Sequence, residues 1–205
     1  MDGFFKGDFG QYFTPREIIE FAVAMMEPTH EDIVLDPACG SGGFLLHVLD
    51  AVRREADEYH DPGSPDHKQH WHDFAEKRLF GIEINEEITR VAKMKMILHD
   101  DGHTNVIGWD ALEPIEKLTA HNKGFAENRF TLVLTNPPFG SMIKQEEKPY
   151  LSGYDLANIS YTAKKTTQSD FKAGKKAIKA KTSVKTEILF LERSPNFSRR
   201  CIALV

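Results

Sequence analysis

Short apolar runs that end on an acidic or amide residue alternate along this chain with longer stretches of helical periodicity. Ile33-Val34-Leu35-Asp36, Leu79-Phe80-Gly81-Ile82-Glu83-Ile84, Asn105 to Trp109 and Phe130 to Thr135 are rich in β-branched and large apolar residues. They predict buried strands of a parallel sheet, whose two covered faces remove the need for polar alternation. Ile18, Ile19, Ala22, Val23 and Met26 recur at helical spacing and predict a helix from Pro15 to Met26. Thr14 reads as its N-cap, with Pro15 and the acidic Glu17 in the first turn. Further helices are expected from Phe44 to Tyr59, from Glu86 to Leu98 and around Glu187, and a final strand from Cys201 to Val205. Strands alternating with helices make an α/β fold with right-handed crossovers. No internal repeat interrupts the pattern.

Two stretches stand outside this alternation. Residues 53–77 read as an insertion between the second helix and the second long strand, with an exposed turn at Pro62-Gly63 and Ser64-Pro65. Residues 141–186 combine Lys, Thr, Ser and Gly with few large apolar side chains and read as a mobile loop.

Composition narrows the class. The chain has 205 residues, 40% of them apolar, which suffices for one buried core, so residues 1–205 are expected to form a single domain. It carries neither an apolar run of transmembrane length nor a basic-then-apolar start, so a cytoplasmic protein away from the membrane is expected. The two cysteines, Cys39 and Cys201, make no Cys-x-x-Cys pair, and a structural disulfide is not expected in a reducing compartment. Net charge is −5 but uneven: from Lys164 to Lys185 eight lysines face one acid, Asp170, giving +7 and leaving −12 elsewhere. Such a stretch is either a solvated loop or a basic flap for nucleic-acid phosphates, whose affinity would fall steeply with salt.

The candidate chemistry sits where the strands end. Asn136-Pro137-Pro138-Phe139 follows the Phe130–Thr135 run directly. Each proline fixes its own φ and extends the residue before it, so the Asn136 side chain and the Pro137 carbonyl are held as two aimed acceptors beside the Phe139 ring. A flat heterocycle with an exocyclic amine, adenine, suits that arrangement. Asparagine-proline is also a common strand stop. Asp36 runs into Pro37-Ala38-Cys39-Gly40-Ser41-Gly42-Gly43 before a helix, the strand-loop-helix unit of a nucleotide site. Gly40 and Gly42 let a ligand approach the backbone, while Asp36 would repel a pyrophosphate and favour a cationic or zwitterionic ligand. The spacing is not G-x-G-x-x-G. Glu83 ends the next strand, where an acid accepts from ribose hydroxyls, and Asp110 follows the third; either one alone could be a solvated loop carboxylate.

Cys39 invites a nucleophile reading, but a small packing residue fits the glycine loop better. His60, His67, His70 and His72 with Asp61, Asp66 and Asp73 could converge on a metal, but they flank an exposed turn, and no metal is expected.

Taken in order, Phe13-Thr14-Pro15, the Asp36 to Gly42 loop, Glu83, Asp110 and Asn136-Pro-Pro-Phe139 resemble the amino-methyltransferases that use S-adenosylmethionine. Gly10-Gln-Tyr-Phe-Thr-Pro-Arg16, Leu98 to Asn105 and Lys185-Thr-Glu-Ile-Leu-Phe190 narrow the resemblance to the modification subunit of type I restriction systems. It implies a Rossmann-like S-adenosylmethionine-dependent methyltransferase sheet, and N6-adenine methylation of DNA with Asn136, Pro137, Pro138 and Phe139 as the catalytic turn. Phe13, Thr14 and Pro15 would contact the methionine end of the cofactor, Asp36, Ala38, Gly40 and Gly42 its amino-acid portion, Glu83 the ribose and Asp110 the adenine. Implied partners are DNA, a specificity subunit and, beyond it, a restriction subunit. The family also has a helical domain before Gly10 and further strands after Val205, so the domain reads as incomplete and truncated at its C-terminal strands, its sheet ending on an exposed edge. Rival readings are transfer to a protein glutamine or another amino group, an inactive remnant serving as an interaction module, and a nicotinamide oxidoreductase. The last has no use for Asn-Pro-Pro-Phe.

Overall fold

The computed structural model of this chain describes residues 14–99, 105–144, 148–162, 176–180, 183–198 and 201–203. The first helix, α1 (Arg16–Met26), buries Ile19, Ala22 and Val23 and ends at Glu27, whose backbone turns left-handed at φ 45° and returns its N–H to the Val23 carbonyl. Its N-cap is Pro15, one residue later than the sequence pattern suggests, and no side chain closes the first turn.

Strand β1 (Val34–Asp36) leads through the glycine loop into α2 (Gly43–Tyr59). The expected insertion contains a helix of its own. After an exposed turn, Ser64 accepts the His67 N–H at 3.1 Å and, with Pro65 in the first turn, starts α3 (Pro65–Arg78). Phe74 and Ala75 of α3 are buried, so the insertion packs along α2 as part of the fold. Then come β2 (Leu79–Glu83), α4 (Glu86–Leu98), β3 (Val106–Gly108), the short α5 (Ile115–His121) and β4 (Leu132–Thr135). Asn85 caps α4 by accepting from the N–H groups of Glu87 and Ile88.

Beyond β4 lie β5 (Met142–Lys144), two 3₁₀ turns (Pro149–Gly153 and Asp155–Ala157), β6 (Asn158–Thr162), β7 (Lys176–Ala180), β8 (Ser183–Lys185), α6 (Thr186–Phe197) and β9 (Cys201–Ala203). Strand β5 pairs with β8 and β6 with β7, both antiparallel. Here the structure departs from the loop expected over 141–186: Leu151, Tyr154 and Ala157 are buried in the core, three apolar anchors within seven residues that a composition average hides. Residues 163–175, which hold four of the lysines, lie outside the described residues.

The main sheet is parallel in the order β3-β2-β1-β4-β9. Its strands bury both faces, and successive residues alternate between two cores. Val34, Leu79, Val106, Leu132 and Leu134 meet α1, α2, α3 and α4 on one side. Leu35, Phe80, Ile107 and Val133 meet α5, α6 and the 3₁₀ turns on the other. This is a Rossmann-like doubly wound sheet. At Gly43, which opens α2, a Cβ would stand 2.8 Å from Ile19 Cδ1, so α1 and α2 approach as closely as glycine allows. Among the described residues no helix is long and apolar enough to cross a membrane.

Because β1 is flanked by β2 on one side and β4 on the other, the chain reverses its direction across the sheet at β1. In open α/β sheets a crevice opens at such a point, outside the carboxyl ends of the strands. The loops that follow β1 and β4 are the Asp36 and Asn136 segments.

Candidate active site

Asp36 ends β1 with 1% of its surface exposed, and its Oδ1 accepts the Ala38 N–H at 3.1 Å. Burial away from water pushes its carboxyl up to about 7. The loop then turns through Gly40 at φ 52° and Gly42 at φ 87°, left-handed conformations that glycine adopts without strain. Nothing lies within 4 Å of where a Cβ at Gly40 would stand, so the loop keeps an open cradle there. Glu83, at the end of β2, bridges two backbones: Oε2 accepts from the Gly40 N–H at 3.1 Å and Oε1 from the Asn85 N–H at 2.8 Å. Burial raises the pKa of this carboxyl also. Asp36 thus holds Ala38, Glu83 holds Gly40, and the Gly42 N–H donates to the Cys39 carbonyl at 2.8 Å, which fixes the glycine loop over the two strand ends.

Two buried acids with raised pKa values have a consequence for the chain without ligand. A carboxyl whose pKa rises on folding stabilises the fold below its unfolded value, and that contribution is lost as pH climbs through the folded value. The urea midpoint is therefore expected to fall between about pH 4 and about pH 7. Asp36→Asn should flatten that slope, and an unchanged slope in the variant would contradict the assignment.

Cys39 packs behind the loop, 5% exposed, its sulfur in the space that a Cβ at Gly81 would need. Burial, with Asp36 and Glu83 adding to it, holds its thiol far above the usual range, so this sulfur is a packing group.

Asp110 follows β3, joined to the Glu83 strand end by the Trp109 N–H, which donates to the Glu83 carbonyl at 3.0 Å. Its Oδ1 accepts from the Leu112 N–H at 3.0 Å, and its Oδ2 meets Lys148 Nζ at 2.6 Å and the Tyr150 hydroxyl. Tyr154 donates to the Leu112 carbonyl at 2.7 Å and Arg193 to the Glu113 carbonyl at 2.8 Å, so the segment after β4 bolts down the Asp110 loop. Sequence reasoning missed Lys148 and Tyr150. They stand 38 and 40 residues from Asp110, and no motif or period connects the three.

On the β4 side, Asn136 donates through Nδ2 to the Thr14 hydroxyl at 2.8 Å. Thr14 therefore serves as an acceptor for Asn136 instead of capping α1. The bond fixes the amide plane and leaves Asn136 Oδ1 without a donor among the described residues. Pro137 is buried, Pro138 and Phe139 are half-buried, and Gly140 turns the chain away at φ 74°. Pro15 accepts at its carbonyl from Ile18 and Ile19, fixing the start of α1 beside this turn. Phe13 lies outside the described residues.

Known proteins share both the sequence and the fold. The family model described as N-6 DNA Methylase matches residues 5–171. The chain is 33% identical over 138 residues to the type I restriction enzyme EcoKI methylase subunit of Escherichia coli (strain K12), covering 66% of this chain and 24% of that protein. It is 30% identical over 161 residues to the type II restriction enzyme and methyltransferase RM.BcgI of Heyndrickxia coagulans, covering 73% and 23%. The chain thus spans about a quarter of the length of these curated relatives. Among solved structures, a modification subunit assigned to a type I restriction enzyme of Vibrio vulnificus YJ016 superposes with TM-score 0.60 at 24% identity, over 93% of this chain and 31% of that one. The sheet has the Rossmann-like fold of S-adenosylmethionine-dependent methyltransferases. The family match runs unbroken through the glycine loop, both strand-end acids and the Asn-Pro-Pro-Phe turn, and the chain belongs to the N-6 DNA methylase family.

Proposed function

We propose that this chain is the cofactor- and adenine-binding part of a DNA (adenine-N6) methyltransferase, the modification subunit of a type I restriction-modification system. The observation that carries the reading is the Asn136 amide, held by Thr14 so that its oxygen is left to accept.

The residues around the glycine loop fit S-adenosylmethionine. Asp36 is a buried acid suited to a cationic ammonium, which would restore its lower pKa. Gly40 leaves the backbone approachable, Glu83 stands where ribose hydroxyls are held and Asp110 where the adenine amine would donate. Lys148 and Tyr150 share Asp110 Oδ2 and border the same subsite. When bound, this cofactor supplies an electrophilic methyl group.

The chain's own part in the reaction is to prepare the acceptor amine. Its lone pair is delocalised into the ring, which makes it a weak nucleophile. Asn136 Oδ1 and the Pro137 carbonyl take its two hydrogens and favour a more tetrahedral nitrogen, and alignment supplies much of the remaining acceleration. Pro137 and Pro138 keep these acceptors from swinging, and Phe139 offers its ring to a base turned out of the duplex.

The partners proposed are DNA, a specificity subunit that reads sequence and a restriction subunit assembled with it. The test is transfer of radiolabelled methyl groups to DNA and to protein fractions, by the chain alone and with its specificity subunit. Label is expected in DNA, as N6-methyladenine, and mainly in the assembled enzyme. Label confined to a protein fraction would replace this reading with glutamine methylation.

A further inference from the structure

Of the histidines grouped along the insertion, His60 meets the His70 ring edge-on with centroids 5.3 Å apart, but the ligand atoms that converge on His70 come from elsewhere. His70 of α3 meets His30, from the loop before β1, and Glu55, from the last turns of α2. One imidazole nitrogen of each histidine and a carboxylate oxygen of Glu55 lie within 4.8 Å of one another. His30 Nδ1 is 2.7 Å from Glu55 Oε1, and the His30 backbone N–H donates to Glu55 Oε2 at 2.7 Å, fixing that carboxylate. His70 Nε2 is 3.9 Å from Glu55 Oε2, too far for a hydrogen bond, and it is buried with no hydrogen-bond partner among the described residues, on a side chain only 10% exposed.

We infer that His30, Glu55 and His70 form a binding site for a divalent transition-metal ion of the zinc class. Ligand atoms around tetrahedral zinc, with bonds of about 2.0–2.1 Å, stand about 3.3 Å apart. The separations of 2.7 and 3.9 Å bracket that value, so small rotations of His70 and Glu55 bring the atoms to bonding distance. Two imidazoles and one carboxylate suit zinc over magnesium or calcium, which prefer oxygen alone. The ion would replace the hydrogen bond between His30 and Glu55, the Nδ1 proton of the neutral ring passing to its exposed Nε2, and would give His70 Nε2 a ligand bond. His30 is 42% exposed, which provides an entry path and a solvent molecule for the fourth position.

The site is separate from the strand-end crevice. His30 precedes the amino end of β1, a central strand, whereas the crevice lies at the carboxyl ends, and Glu55 is twelve residues along α2 from Gly43, about 18 Å at helical rise. Bound metal would pin the insertion to the loop that enters the sheet. The other cluster, His72, Asp73 and Glu76, is largely exposed, and its Asp73 is already paired to Lys77 at 3.0 Å. It serves as a control.

The test uses the tag-free chain, stripped with a chelator and titrated with Zn(II) by calorimetry and with Co(II) by visible absorption. One equivalent is expected, with the intense d–d bands of four-coordinate cobalt and a melting temperature raised by zinc but not by magnesium. His70→Ala should weaken zinc binding by at least about 100-fold, beyond what loss of a ligand's supporting contact alone costs. Glu55→Gln should weaken it also, and His72→Ala should leave it unchanged. His30→Ala, on the more exposed loop, gives the same reading if His70→Ala does not fold. Absence of saturable cobalt bands, or zinc binding that survives both histidine substitutions, overturns the proposal. Neither outcome bears on methyl transfer, which the radiolabel assay reads separately.

Discussion

Asn136→Ala in the assembled enzyme is expected to lower methyl transfer by about 10²–10³-fold, the scale of losing one preorganised hydrogen-bond partner at a reacting centre. Affinity for S-adenosylmethionine should stay near wild type, because the glycine loop, Asp36 and Glu83 hold together through their own hydrogen bonds without Asn136. Thr14→Val separates orientation from acceptance. It removes the oxygen that receives the Asn136 Nδ2 donor and frees the amide to rotate, while Oδ1 remains in place to accept in one of its orientations. That variant should lose turnover by a smaller factor, in kcat more than in KM. Single-turnover methylation beside calorimetry with the cofactor distinguishes these outcomes. Near-normal turnover by Asn136→Ala would remove the turn from the mechanism.

The largest expected effect on stability belongs to Phe80→Ala. Phe80 is 1% exposed on β2, and its ring meets Phe125 and Phe130 edge-on, each with centroids 5.3 Å away, while Arg129 lies over one face at 5.0 Å. Gly124 approaches so closely that a Cβ there would stand 2.5 Å from the ring, so the backbone is moulded around it. Truncation leaves a cavity among three elements that cannot all collapse into it, at a cost of about 3–5 kcal/mol. That is a large share of a domain's usual 5–15 kcal/mol or so. It should appear as a lower urea midpoint at unchanged slope. Phe21→Ala, on the 66% exposed face of α1, should change the midpoint by no more than about 0.5 kcal/mol. Equal losses in the two variants would show that the second core is not packed as described.

The strands and the residues at their ends were legible because parallel strands buried on both faces leave uninterrupted apolar runs, and because Asp36, Glu83, Asp110 and Asn136 each sit at the end of one. Thr14 was identified as a residue of interest, but its cap-like place before a proline concealed that its hydroxyl faces Asn136, 122 residues away. The helix within the insertion is not legible because the buried side of α3 is narrow, Phe74 and Ala75 among charged neighbours, and too few apolar residues repeat to announce it. The packing of Leu151, Tyr154 and Ala157 was hidden for a related reason. Three 3₁₀ anchors make no 3.6-residue period, and the lysines that follow dominate the composition. The meeting of His70 with His30, forty residues earlier, is not legible in the sequence, because it depends on helices two and three folding back along each other.

The 2.8 Å limit between Gly43 and Ile19 sets more than a helix spacing. Ile19 is five residues beyond Thr14, and Thr14 accepts from the Asn136 amide, so the bare backbone at position 43 works as a feeler gauge between the glycine loop and the helix that leads from the Asn136 turn. A methyl group at that position would act as a shim against the tip of Ile19, taken up first by rotation of that side chain within the contact between the two helices.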